Sequence, residues 1–301
     1  MSWQAELIRL GARIFLKPGT RPGVTIAVRR LRIEAYERWV RHPPPGTATT
    51  EHALGGVPGV RIGLPESRPG RCILYLHGGG YVTGSPALYR HITWRIAASA
   101  RAEVAAIAYR LAPEFPFPAA LDDAASAWHA LLAEGAEPQN CVIMGDSAGG
   151  GLALALALRL RDEGGPLPAA IVALSPWTDL AMTGQSCSAD ATDPMLNFDD
   201  LGPLAARYLA GADPRNPYAS PLYGDPHGLP PTLLQVGSDE ILLDDSTRMA
   251  QRLRDAGCKV TLEVWRRMPH VWHAFAPAMP EALRAIARIG AFAQEHVASQ
   301  T

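Results

Sequence analysis

Gly145-Asp146-Ser147-Ala148-Gly149 places a hydroxyl between two glycines, and its setting suggests what that hydroxyl could do. Before it runs Cys141-Val142-Ile143-Met144, short, apolar and β-leaning; after it, residues 151–160 form a strong helix former. Strand, tight turn and helix together push a serine out above a sheet. The flanking glycines suit a strained turn that a Cβ on either side would crowd. The same turn opens a helix, so its backbone N–H groups are free, and that of Ala148 can hold an oxyanion developing near Ser147.

His77-Gly78-Gly79-Gly80 is a second, independent signal, following the apolar segment Cys72-Ile73-Leu74-Tyr75-Leu76. Three glycines after a strand allow backbone to approach a ligand closely. With 28 Gly and 9 His in 301 residues, both patterns arise together by chance in roughly one such chain in a thousand.

A serine hydroxyl is a poor nucleophile near neutral pH and needs a base, which in turn needs an orienting acid. Behind a serine on such a turn, the acid precedes the histidine in the chain. Thr232-Leu233-Leu234-Gln235-Val236 is a buried-strand pattern followed by Gly237-Ser238-Asp239-Glu240. Groups just past the C-terminal ends of parallel strands face the crevice, which favours Asp239. Glu240, Asp244 and Asp245 are its rivals, although Asp244-Asp245-Ser246 reads as the cap of the next helix. Val260 to Trp265 is the last strand, and the loop after it holds His270 and His273. Position favours His270 as the base, with His273 as the alternative.

Strand-like segments recur at 59–64, 72–76, 104–109, 141–144, 171–175, 232–236 and 260–265, with helical patterns between most of them. That alternation predicts a mostly parallel sheet covered on both faces. Two regions break it. Residues 1 to about 50 hold two amphipathic segments and the Pro43-Pro44-Pro45-Gly46 break; residues 178–225 are rich in Pro, Gly and Asp, with a helical stretch near 201–209. Both read as parts of a cap over the strand ends, dividing the chain at 1–50, 51–177, 178–225 and 226–301. Trp3, Leu7, Leu10 and Ile14 lie at helical spacing; with Met195, Leu196, Phe198, Leu201, Leu204 and Tyr208 they are candidates either to pack on one another or to roof an acyl pocket.

At 48% apolar and 19% charged, the chain can bury a sizeable core. A net charge of −1 offers nothing for nucleic acid or an anionic membrane. Apolar runs fall short of a spanning helix, and the N-terminus lacks the pattern of a cleaved signal. No membrane insertion and a cytoplasmic location are expected. Cys72, Cys141, Cys187 and Cys258 are scattered, without zinc spacing, and read as reduced thiols.

The HGGG run at His77, Tyr109-Arg110-Leu111-Ala112-Pro113-Glu114 and Gly-Asp-Ser-Ala-Gly-Gly at 145–150 together resemble the microbial hormone-sensitive-lipase-like esterases (family IV). The similarity runs from about Arg71 to the C-terminus. It implies an α/β-hydrolase: an eight-stranded, mostly parallel sheet, helices on both faces, a helical cap. It implies a carboxylic ester hydrolase (EC 3.1.1 class) for short- to medium-chain esters, with no cofactor and no metal. By position it implies Ser147, Asp239 and His270 as the triad and Gly79, Gly80 and Ala148 as the oxyanion hole. Glu114 reads as a buried or partly buried ion-pair or hydrogen-bond partner and Asp146 as a brace of the turn. The chain departs from the family where it has Asp239-Glu240-Ile241 for Asp-Pro-Leu and His270-Val271-Trp272 for His-Gly-Phe. An amidase or formamidase with the same triad, and a non-catalytic small-molecule binder, are the alternatives. Relatives are often dimers, so a homodimer stays open.

Overall fold

The strand patterns assemble into one eight-stranded sheet. In a computed structural model that describes residues 1–21, 23–38, 40, 42–188 and 191–298, the strands are β1 (Ala48–Glu51), β2 (Gly59–Gly63), β3 (Cys72–Leu76), β4 (Glu103–Ile107), β5 (Cys141–Asp146), β6 (Ala170–Leu174), β7 (Thr232–Gly237) and β8 (Val260–Trp265). Their order is β1-β2-β4-β3-β5-β6-β7-β8. From β4 across to β8 every pair is parallel, while β1–β2 and β2–β4 are antiparallel. The one strand the sequence pattern does not reveal is β1. It is Ala-Thr-Thr-Glu at the sheet edge, exposed along its whole length, and so carries no apolar alternation.

The helices are α1 (Trp3–Gly11), α2 (Ile26–Glu37), α3 (Pro86–Ala100), α4 (Ala119–Ala133), α5 (Ala148–Asp162), α6 (Phe198–Leu209), α7 (Leu243–Asp255) and α8 (Pro280–His296). Side chains alternate across the sheet, so each central strand serves two cores. Ile73 and Tyr75 of β3 join Ile92 and Ile96 of α3 and Ile289 of α8 on one face. Leu74 and Leu76 join α4, α5 and α7 on the other. Because both faces are covered, β3, β5, β6 and β7 are buried end to end and read as apolar runs. The Leu-Ala repeat of α5 is buried on nearly every side for the same reason.

The N-terminal segment is α1, a π-helical turn at Ala12–Leu16, a 3₁₀ turn at Lys17–Thr20, and α2. It reaches the loops that follow β3, β7 and β8: Arg30 donates to the Val82 carbonyl, and Arg9 pairs with Asp239 and donates to the Arg267 carbonyl. Ser2 opens α1, accepting a hydrogen bond from the Ala5 N–H while its own N–H and hydroxyl donate to Glu281. α6 lies in the 178–225 insertion. The two segments hold each other: Arg29 grips Asp200 with two nitrogens at 2.5 and 2.6 Å, and Lys17 donates to the Asp193 carbonyl at 2.7 Å. The insertion's Leu201, Leu204 and Tyr208 are buried, whereas Trp3, Leu7, Leu10 and Ile14 point to solvent. The N-terminal stripe therefore does not roof a pocket: the Ala5 and Ala12 side of its helix faces inward instead. All four cysteines are free thiols.

Candidate active site

The end of β5 and the start of α5 form the turn that carries Ser147. Its backbone is at φ 53° and ψ −122°, a strained conformation for a residue with a Cβ. Four backbone hydrogen bonds hold it there. The Ser147 N–H donates to the Leu174 carbonyl at 2.8 Å, and the Ser147 carbonyl accepts from the N–H groups of Trp177 at 2.9 Å, Gly150 at 3.0 Å and Gly151 at 3.1 Å. A Cβ on Gly145 would collide with Gly149, and one on Gly149 with the Leu76 carbonyl. Only glycine at both positions lets α5 start this close to β3.

Ser147 Oγ lies 2.9 Å from His270 Nε2, and His270 Nδ1 lies 2.8 Å from a carboxylate oxygen of Glu240. Here the structure departs from the expectation for the acid. Asp239 does not reach His270: its side chain is at the surface, 2.6 Å from an Arg9 guanidinium nitrogen, and accepts from the Ser238 hydroxyl at 2.8 Å. After β7 the chain folds back on itself, with the Glu240 N–H donating to the Gly237 carbonyl. That reversal turns residue 239 outward and residue 240 inward, and the extra methylene of glutamate spans the remaining gap. The other rivals are engaged elsewhere. Asp245 accepts from the Thr178 and Asp179 N–H groups, and Asp244 from that of Ser186.

Glu240 is buried and fully partnered. One oxygen accepts from His270; the other accepts from the Ser175 hydroxyl at 2.7 Å and the Gly237 N–H at 2.6 Å. Burial works against a charged His270, but the hydrogen bond and charge of Glu240 outweigh it, so the imidazole pKa is raised. His273 behaves differently. It is buried against the Gln235 amide oxygen at 2.8 Å, and burial, with His270 nearby, holds its pKa down to about 3. It stays neutral and does not touch Ser147.

Ser175, at the end of β6, is the residue that sequence reasoning misses. Its hydroxyl donates to Glu240 and accepts from the Val271 N–H at 3.2 Å, joining Glu240 to the loop that carries His270. The only sequence hint is that Ser-Pro-Trp directly follows a buried strand.

The HGGG loop faces the turn from the end of β3. Gly79 has φ 122°, and a Cβ there would strike the Thr83 carbonyl; Gly80 has φ 62°. Buried Asp146 braces this loop by accepting from the Gly78 N–H at 3.0 Å and the Tyr75 hydroxyl at 2.8 Å. Burial raises its pKa to about 6 despite those donors. Tyr109 donates to the His77 carbonyl at 2.6 Å and stacks on its ring. Glu114 is exposed rather than buried, but it does pair with Arg30, which also reaches the Val82 and Ala112 carbonyls and ties α2 to the same loop. Leu204 of α6 sits over Gly80.

A family model for the α/β-hydrolase fold matches residues 73–274. The chain belongs to the α/β-hydrolase family. Among relatives, an acetyl-hydrolase of Streptomyces hygroscopicus is 50% identical over 229 residues, covering 76% of this chain and 77% of the relative. An ethyl acetate hydrolase of Pseudomonas putida is 32% identical over 243 residues, covering 77% and 76%. The crystal structure of an esterase from the bacterial hormone-sensitive lipase family superposes with a TM-score of 0.93 at 42% identity, covering 99% of both chains. Within the α/β-hydrolases this chain is thus one of the hormone-sensitive-lipase-like esterases, a carboxylic ester hydrolase. Among the described residues no helix is long and apolar enough to cross a membrane.

Proposed function

We propose that this hydrolase cleaves short- to medium-chain carboxylic esters through a Ser147–His270–Glu240 triad and an acyl-enzyme. The observation that carries the reading is the continuous line from Ser147 Oγ through His270 to a buried, fully partnered Glu240, built on a strained turn. His270 Nε2 takes the proton as Ser147 Oγ attacks the ester carbonyl. Glu240 holds the hydrogen on Nδ1 and offsets the charge of the imidazolium that forms. The N–H groups of Gly79, Gly80 and Ala148 receive the negative charge on the carbonyl oxygen. His270 then returns its proton to the leaving alcohol, and water, deprotonated by the same imidazole, releases the acid.

The segments before β1 and at 178–225 act as the cap. Its roof over the oxyanion loop comes from α6, with Leu204 above Gly80 and Tyr208 stacked on Tyr81 at 3.7 Å. An apolar roof tied down by Arg29–Asp200 favours an acyl chain of limited length, in keeping with relatives named for acetyl and ethyl acetate hydrolysis.

Ser147→Ala tests the nucleophile. It should fold as the wild type and lose nearly all turnover, leaving roughly 10³-fold over water from the oxyanion groups. Retention of more than a few per cent of activity by the folded variant would overturn the assignment. Turnover of a matched ester and anilide separates an esterase from an amidase, and loss of organophosphate labelling at Ser147 would favour a silent binder.

A further inference from the structure

We propose that the outer face of the N-terminal segment docks on an anionic lipid surface. Among the described residues thirteen large apolar side chains are exposed, and ten of them lie within the first 36 residues. Trp3, Leu7, Leu10 and Ile14 form one stripe along α1 and the turn after it, and Phe15 beside them is 79% exposed. Core packing does not account for this face, because the helix already buries its other side through Ala5, Ala12 and Ile8.

Charge selects the occupant. Residues 1–42 contain nine Lys/Arg and three Asp/Glu, a net +6, which leaves −7 on the rest of a chain whose total is −1. The total hides this asymmetry. Several of these cations are used internally: Arg9 holds Asp239, Arg29 holds Asp200 and Arg30 holds Glu114. Arg13, Arg21, Arg32 and Arg38 are exposed and face no carboxylate partner among the described residues. A polyanion would satisfy these arginines and leave Trp3 and Phe15 in water. A second copy meeting the same face would cover the apolar stripe but set arginine against arginine. An anionic lipid surface answers both, as it does for helices that lie in the headgroup plane with aromatic and aliphatic side chains down and basic ones around them.

The face is held in place. Ser2 is tied to Glu281, Arg9 to Asp239 and the Arg267 carbonyl, and Lys17 to the Asp193 carbonyl. Asp239 is next to Glu240, and Arg267 is three residues before His270, so docking would bring lipid beside the loops that carry the acid and the base.

The test is cosedimentation of the full chain with vesicles of phosphatidylcholine alone or with a minority of phosphatidylglycerol, at low and high salt. It reads binding without turnover, so its result is independent of the triad. The wild type should bind the anionic vesicles about tenfold or more tightly than the neutral ones and lose that margin at high salt. Leu10→Ser/Phe15→Ser and, separately, Arg13→Glu/Arg32→Glu should each weaken binding by about tenfold. Trp3→Phe should remove the part of the vesicle-induced blue shift in fluorescence that belongs to this face. These side chains are exposed, so the unfolding temperature should not move. Equal binding to both vesicle types, or none, in the wild type would overturn the proposal whatever the variants do. So would a wild-type dimer that Leu10→Ser/Phe15→Ser dissociates, which would give the face to a second copy.

Discussion

Replacing Glu240 with Gln exchanges one carboxylate oxygen for an NH₂ and leaves the side-chain length unchanged. Three donors converge on that carboxylate: His270 Nδ1 on one oxygen, the Ser175 hydroxyl and the Gly237 N–H on the other. An amide accepts on only one of its two arms. The Gly237 N–H is fixed by the backbone and cannot turn away, so the amide oxygen should stay with it and with Ser175. The NH₂ then meets His270 Nδ1 and forces the ring hydrogen onto Nε2, where it points at Ser147 instead of accepting from it. The base is lost with the packing intact, which should lower kcat by about 10⁴-fold, or roughly 5 kcal/mol of barrier. Asp239→Asn is the control. It removes only the pair with Arg9, whose side chains are 15% and 22% exposed. Such pairs contribute about 0.2–1 kcal/mol to stability, and kcat should stay within about threefold of wild type. The assay is kcat on a soluble butyrate ester across pH, with circular dichroism to confirm the fold. In the wild type, activity should rise as His270 loses its proton, and Glu240, which raises that pKa, should place the rise above the ordinary imidazole range. Without the anion, burial is unopposed and the acid limb of the residual activity should move to lower pH. An active Glu240→Gln beside an inactive Asp239→Asn would refute the reasoning and return the acid to Asp239.

His270→Ala should abolish turnover, whereas His273→Ala should leave kcat within about tenfold and lower stability by about 1–3 kcal/mol through the abandoned Gln235 oxygen; chemical denaturation beside initial rates separates the two. Ser175→Ala should cut kcat by about tenfold with little change in KM, because it loosens Glu240 and the Val271 loop together, a loss worth about 1.5 kcal/mol. Across an acyl series, kcat/KM should climb with each CH₂ at about 0.8 kcal/mol of added burial until the roof under α6 is reached, then fall, and Leu204→Ala should move the peak to longer chains. A peak that does not respond to Leu204 would place the roof elsewhere.

The turn at Ser147, the HGGG loop and the layering of the sheet were legible in the sequence because each is a local pattern. A strand, two glycines and a helix former define the turn at Ser147 without reference to anything distant. Apolar runs, buried on both faces, announce β3, β5, β6 and β7. Edge strand β1 was not legible, since an exposed four-residue strand has no apolar signal to show. Which of two neighbouring carboxylates meets His270 belonged to the tertiary structure. Asp239 and Glu240 differ by one position and one methylene, and chain order serves both equally. What separates them is the reversal after β7, the donors at Ser175 and Gly237 that satisfy a buried carboxylate, and an arginine 230 residues upstream that holds Asp239 at the surface. The stripe of α1 follows the same logic. Its period is written in the sequence, but which side of the helix meets the protein depends on where Ala5, Ile8 and Ala12 find partners, and only the folded chain supplies those.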